Sequence, residues 1–188
     1  MQEKLVRYVL PAIAVLITIG SLYNSWGTSR ANNLVDEGNA ASESADALVV
    51  QHGSEFQKLF SNANLEGFPG HREKYQASAQ ETADAFEKAA GLYRFAANKL
   101  DEASRQPVGK PNAAYFAAKA QSFRKLGDSK ETYGKAVRLL LNETITDINT
   151  LKLKVEPLIV EALAASAESD KFSTEAQQVI DTHKDDFQ

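Results

Sequence analysis

The hydrophobic pattern divides this chain into one unbroken apolar run and a longer region of helical periodicity. Between Tyr8 and Ser29 there is no charged residue. At a rise of about 1.5 Å per residue, such a run is long enough to cross the roughly 30 Å hydrocarbon core of a bilayer. It predicts a transmembrane helix at residues 8–28. The side chains expected to meet lipid or its interface are Tyr8, Val9, Leu10, Ile13, Val15, Leu16, Ile17, Ile19, Leu22, Tyr23 and Trp26.

The charges that flank this run predict its orientation. Lys4 and Arg7 precede it, opposed only by Glu3. Basic residues favour the cytoplasmic side of a membrane helix, so we expect residues 1–7 in the cytoplasm and residues 29–188 outside it. In a bacterium this arrangement places the outer domain in the periplasm, on the inner membrane.

A cleaved signal peptide has the same polarity, but its cleavage site needs small residues after the apolar run. The bulky Leu22, Tyr23 and Trp26 disfavour such a site, and the chain has no cysteine for lipoprotein processing. We therefore expect a retained anchor, and cleavage in the cell stays open as the alternative.

Beyond the anchor the apolar spacing is helical, and it predicts an all-α fold: an antiparallel helical bundle or a tetratricopeptide-like domain of four to five helices. Glycine and proline interrupt the pattern near residues 67–70 and 106–111. Gly127 with Asp128 reads as a further stop and cap, and Thr174 with Gln177 as a capping box. The predicted helices span about 29–62, 71–106, 112–126, 129–167 and 174–184.

The predicted helix 129–167 carries the most apolar residues. Val137, Leu141, Ile148 and Val155 lie on one stripe, and further residues that include Leu153 and Val160 widen it. A helix that is apolar on most of its surface is typical of a buried position. We therefore expect this helix to lie at the centre of the domain.

The composition excludes several classes of function. Without cysteine the chain has no disulfide, thiolate site or iron–sulfur cluster. Past residue 7 it has five more acidic than basic residues, which disfavours nucleic-acid binding. The three histidines, His52, His71 and His183, lie on different elements without a second ligand at metal spacing. We predict no catalytic residue, no cofactor and no metal site.

Residues 112–141, NAAYFAAKAQSFRKLGDSKETYGKAVRLLL, resemble one degenerate tetratricopeptide unit. Ala120 stands at the small position of the first helix, Phe123 follows as an aromatic, and Gly127 lies in the turn between the helices. Lys119 and Thr132 depart from the usual leucine and alanine. The layout is similar to membrane-anchored ancillary periplasmic proteins of this kind. The resemblance implies a docking role without catalysis.

Two apolar side chains fall off the main stripe of the second predicted helix. Leu92 and Phe95 form either a second packing face or a partner-docking patch.

We therefore predict a non-enzymatic, membrane-anchored protein–protein interaction module, an accessory or scaffold subunit that contacts an integral membrane protein. The alternatives are a filament or lattice subunit that assembles through the apolar N-terminal helix, and an extracytoplasmic ligand-sensing bundle. Self-association into a homo-oligomer stays open.

Overall fold

The computed structural model describes residues 29–61, 65, 67–106 and 108–187. These residues form four α-helices and no strand, which confirms the all-α prediction. The helices are α1 (Ser29–Leu59), α2 (Arg72–Ser104), α3 (Lys110–Leu141) and α4 (Ile148–Thr182), and a short 3-10 helix (Lys184–Phe187) follows. The predicted transmembrane helix at residues 8–28, with all its lipid-facing side chains, lies outside the described residues.

The four helices form an open, antiparallel array. Each packs against its neighbours in the chain, so α2 and α3 lie at the centre and α1 and α4 at the two edges. Aromatic side chains hold α1 to this centre: the Phe56 ring lies 5.5 Å from Phe86 on α2 and 5.1 Å from Tyr133 on α3. The helical-bundle prediction is therefore confirmed at the level of packed antiparallel helices.

The predicted turn at Gly127 is wrong, because α3 runs through this position without a break. A Cβ atom on Gly127 would lie 3.2 Å from the Ala90 carbonyl oxygen of α2, and one on Gly134 would lie 3.4 Å from the Ala83 oxygen. These glycines, seven residues apart, let two helix backbones approach closely rather than end a helix. The turn that the tetratricopeptide resemblance implies is accordingly not formed.

The real break lies at residues 142–147, inside the predicted helix 129–167. Asp147 caps α4 by accepting hydrogen bonds from the backbone N–H groups of Asn149 and Thr150, both at 2.9 Å. Arg72 of α2 fixes the loop from the other side. Its guanidinium donates to the Leu140 oxygen at 3.1 Å and the Ile145 oxygen at 2.7 Å, which satisfies two backbone carbonyls near the end of α3.

Helix α4 begins later and ends later than the predicted helix 129–167, and it lies at the edge of the array, not at its centre. It continues through Thr174, where the predicted capping box is wrong: the Thr174 hydroxyl donates to the Asp170 carbonyl within the helix. It also continues through Pro157, which is exposed. The carbonyl that a proline deprives of its donor is then on the solvent side, where water can bind it.

Candidate interaction surface

One face of α4 is apolar and uncovered by any described residue. It consists of five exposed side chains, Leu153, Pro157, Val160, Ala164 and Ala167, which we call the α4 outer face. Leu153 is 74% exposed and Val160 is 62% exposed, the highest values among the large apolar side chains described. Exposed apolar side chains gathered on one strip of surface are typical of a docking surface.

The α4 outer face lies opposite the side of α4 that packs on α3. The inner side carries the buried Leu151, Val155, Ala162, Ser169 and Ala176. The outer residues follow one another at intervals of four, three, four and three, the spacing of a coiled-coil seam. At 100° per residue, their mean direction is about 180° from that of the inner set. Helix α4 therefore has two apolar sides, and only one of them is packed.

A row of charged residues flanks the α4 outer face on one side, and Glu156 lies on the other side. Lys154, Glu161 and Glu168 form the row, and all three are exposed. Glu168 forms an ion pair with Lys125 of α3 at a distance of 2.6 Å. Lys154 and Glu161 make no ion pair within 4.0 Å among the described residues. The flank thus carries one free charge of each sign, one on either side of Pro157.

The predicted docking pair Leu92 and Phe95 is divided by the structure. Leu92 is half-buried and packs against the hydrophobic core. Phe95 is 46% exposed, and the Lys99 ammonium lies 5.1 Å from the centre of its ring. Lys99 in turn pairs with Glu37 of α1 at 2.7 Å. Only Phe95 is therefore available on the surface, as a single ring with a cation against it.

A group of buried ionisable side chains lies where the helices meet. Lys119 and Lys130 of α3 are each only 6% exposed, and the Tyr93 hydroxyl of α2 donates a short hydrogen bond to Asp46 of α1. Burial lowers the pKa of Lys119, and it lowers the pKa of Lys130 to about 8, against the opposing attraction of Asp46 and, for Lys130, Asp170 of α4. Burial raises the pKa of Asp46, and the Tyr93 bond opposes this.

The space beside this group is too small for a substrate. The cavity lined by Phe56, Phe86, Lys130 and Tyr133 has a volume of about 20 Å³, room for roughly one water molecule. A wider cleft of about 310 Å³ lies between α2, α3 and α4. Ion pairs line it, including Arg94 with Asp128 and Lys135 with Glu131. Neither space brings a nucleophile, a base and an orienting group together.

The described part of the chain shows neither a grouped set of metal ligands nor a membrane-spanning helix. Within them, no three side chains of the histidine, aspartate and glutamate types are grouped so that they could hold a metal ion. Over the same part of the chain, no helix combines the length and the apolar character needed to cross a membrane.

Comparison with known proteins returned no match for this chain among family models, curated proteins or solved structures.

Sequence reasoning did not single out the α4 outer face. The sequence pattern predicts that Leu153 and Val160 belong to a widened core stripe, because a helix that is apolar on several sides is normally buried. The available signal was the second set of intervals of four and three, from Leu153 to Ala167. Two separate stripes on one helix indicate two separate contacts, and the described residues supply only one of them.

Proposed function

We propose that this protein is a non-enzymatic interaction module, an accessory or scaffold subunit held at a membrane by its N-terminal apolar segment. The observation that supports this proposal best is the α4 outer face. It is an apolar seam on the edge helix of an open array, opposite the side that packs on α3. A side chain such as Leu153 gains free energy when a partner removes it from water, by up to about 2 kcal/mol.

The arrangement of the charged groups supports a role without chemistry. The buried lysines Lys119 and Lys130 have no space beside them for a reacting molecule, and the paired groups of the cleft are held by one another. The ligand-sensing alternative gains nothing from a cavity of about 20 Å³. The wider cleft of about 310 Å³ is lined mostly by charged side chains, whereas ligand pockets are lined mainly by apolar ones.

The membrane part of the proposal rests on the sequence. The uncharged run from Tyr8 to Ser29 ends where α1 begins. An anchored domain is confined to a thin layer above the bilayer, which raises the effective concentration of any partner in the same membrane. The proposed partners are therefore the bilayer itself and an integral membrane protein or complex, with no nucleic acid. The domain faces the outside of the cytoplasmic membrane.

The test is affinity capture of the full-length chain from its own membranes in mild detergent, with identification of the proteins that accompany it. We expect Val160→Asp to reduce this capture at least tenfold, because it places a charge in the centre of the seam. Val50→Asp is the matched control. Val50 is a valine of similar exposure on α1, at the other edge, so its substitution should leave capture unchanged.

Two outcomes would redirect the proposal. If Val160→Asp captures the same proteins in the same amounts, the α4 outer face is not the docking site. Phe95→Ser then tests the remaining exposed ring of the predicted patch. Regular fibres formed by the purified full-length chain would instead favour the filament alternative.

A further inference from the structure

We propose that the α4 outer face pairs with the same face of a second copy of this chain, with the two α4 helices antiparallel. This inference rests on the proposed function, and it names the partner for that surface. Three features of the seam support it: the alternation of large and small side chains, the charges on its flank, and the like charges that a parallel pair would bring together.

The large and small residues of the seam complement each other when one copy is reversed. With the two-fold axis between residues 158 and 159, Leu153 lies opposite Ala164 of the second copy, and Pro157 lies opposite Val160. Each pairing occurs twice by symmetry. A large side chain facing a small one lets two helix axes approach to about 8–10 Å without a void.

The flanking charges are complementary in the same register. A two-fold axis perpendicular to both helices brings the same flank of each copy together. Lys154 of one copy then lies beside Glu161 of the other, about 3 Å apart along the helix axis at 1.5 Å per residue. The pair also occurs twice. Both groups are exposed and make no ion pair with any residue that the structure describes, so pairing breaks no ion pair seen there.

A parallel pair is disfavoured by the same residues. In parallel coiled coils, a residue on one flank faces the residue five positions later on the other helix. For this seam that rule places Glu156 against Glu161 of the second copy, twice. Two pairs of like charges oppose the parallel arrangement, whereas the antiparallel one has two pairs of opposite charges at its centre. Its outer flank pair, Asp147 with Glu168 of the second copy, joins two carboxylates that already have partners, in the α4 N-cap and in Lys125.

The pairing is expected to be weak in free solution. The seam extends for about 21 Å along α4, and such a contact buries less area than the roughly 1,200 Å² of stable complexes. Confinement of both copies to one membrane raises their effective concentration and compensates for this. Two copies anchored in one bilayer need a two-fold axis perpendicular to it, so this pairing lays α4 along the membrane surface.

Disulfide cross-linking tests the register directly, because the native chain has no cysteine. The full-length variants Lys154→Cys and Glu161→Cys carry different tags and are reconstituted together in vesicles of neutral phospholipid. We expect the disulfide between residue 154 of one chain and residue 161 of the other. In the antiparallel register two copies of residue 154 lie about 13 Å apart along the axis, beyond the reach of a disulfide. A strong bond between two copies of residue 154 would overturn the proposed orientation.

Charge reversal tests the flank independently. In sedimentation equilibrium of the full-length chain in detergent, Lys154→Glu and Glu161→Lys should each weaken dimerisation about tenfold, since each replaces two attractions by two repulsions. The double variant should restore the dimerisation constant to within about twofold of the wild-type value. Failure of the double variant to recover would contradict the pairing of these residues.

Val160→Asp separates this inference from the proposed function. It should abolish the dimer, whereas Val50→Asp should not. The inference is overturned if the wild-type chain is monomeric at every concentration and the cysteine variants stay uncrosslinked in vesicles. If Val160→Asp still loses a membrane partner in that case, the proposed function stands and only the identity of the partner is wrong.

Discussion

The contact between α2 and α3 and the contact between α3 and α4 are built on different principles. Between α2 and α3, Gly127 and Gly134 lie against the backbone at Ala90 and Ala83, so the main chains approach closely. Between α3 and α4, paired hydroxyls accompany a smaller set of buried apolar side chains. Ser122 bonds to Ser169 and Ser173, both at 2.9 Å, and Ser129 bonds to Ser166 at 2.8 Å.

The extent of burial follows the same division. Helix α3 has sixteen buried residues among its 32, whereas α4 has five among its 35. Since apolar burial is the main source of stability, the centre of the array carries most of the folding free energy. An edge helix held by serines and a few apolar side chains leaves its other side exposed. The difference between these contacts therefore separates the folded core from the proposed interaction surface.

The largest expected effect is at the close contact of α2 with α3. Gly127→Leu would force a side chain into the space occupied by the Ala90 carbonyl and the Arg94 side chain, and we expect it to lower the free energy of unfolding by about 3 kcal/mol. Gly91→Ala on α2 is the control, because nothing lies within 4 Å of its added Cβ atom. It should stabilise the protein by up to about 1 kcal/mol. Thermal or urea unfolding measures both, and a stabilising Gly127→Leu would refute the close contact.

Hydrogen exchange compares the local stability of α3 and α4 without a substitution at either helix–helix contact. Amides in the middle of α4 should exchange about a hundredfold faster than those in the middle of α3, a difference of about 2.7 kcal/mol in opening free energy. The Val160→Asp variant is used, so that no partner protects the α4 outer face. Equal protection of the two helices would show that the array unfolds as one unit.

The buried Lys130 gives a prediction that depends on pH. Its pKa is lowered from 10.5 to about 8, so between these values the unfolded chain binds the proton that the folded chain has lost. The stability contributed by this group therefore rises with pH from about 8 to 10.5, and below pH 8 the charged lysine opposes folding in full. Lys130→Met should stabilise the protein by about 2 kcal/mol at pH 7.

The comparison of Lys130→Met with the wild type isolates this effect. The extra stability of Lys130→Met over the wild type should shrink steadily above pH 8. Tyrosines such as Tyr115 and Tyr133, with their pKa raised to about 12, affect both proteins alike. Lys88→Met, at an exposed position on α2, removes the same charge and should show no such trend. An advantage that is constant from pH 7 to pH 10 would contradict the lowered pKa.

The smallest expected effect is at the serines between α3 and α4. Ser129→Ala leaves the Ser166 hydroxyl without its Ser129 partner and should lower the free energy of unfolding by about 1 kcal/mol. The double variant Ser129→Ala with Ser166→Ala removes both hydroxyls and should return close to the wild-type stability. Ser44→Ala, on the exposed side of α1, is the control. Additive losses in the double variant would show that the hydroxyls do not interact.

The first two helices and the loops that end them were predictable, and the physical reason is local. The predicted helices 29–62 and 71–106 agree closely with α1 and α2, since glycine and proline mark their ends and the apolar stripe of α2 faces the core. The apolar run at residues 8–28 is equally a property of the sequence alone. The spacing of the apolar stripe on α2 also determined that Phe95 stands apart from it.

Only the tertiary structure decided where α3 ends and what α4 presents. Gly127 followed by Asp128 has the local chemistry of a turn, but the close approach of Ala90 from α2 requires a glycine there, and the helix continues. The loop at residues 142–147 has neither glycine nor proline, and Arg72, about seventy positions earlier in the chain, holds its carbonyls. The apolar count of α4 predicted a central helix, but α3 covers only one of its sides. The spacing of the seam from Leu153 to Ala167 is present in the sequence, but its exposure depends on how the described helices pack around α4.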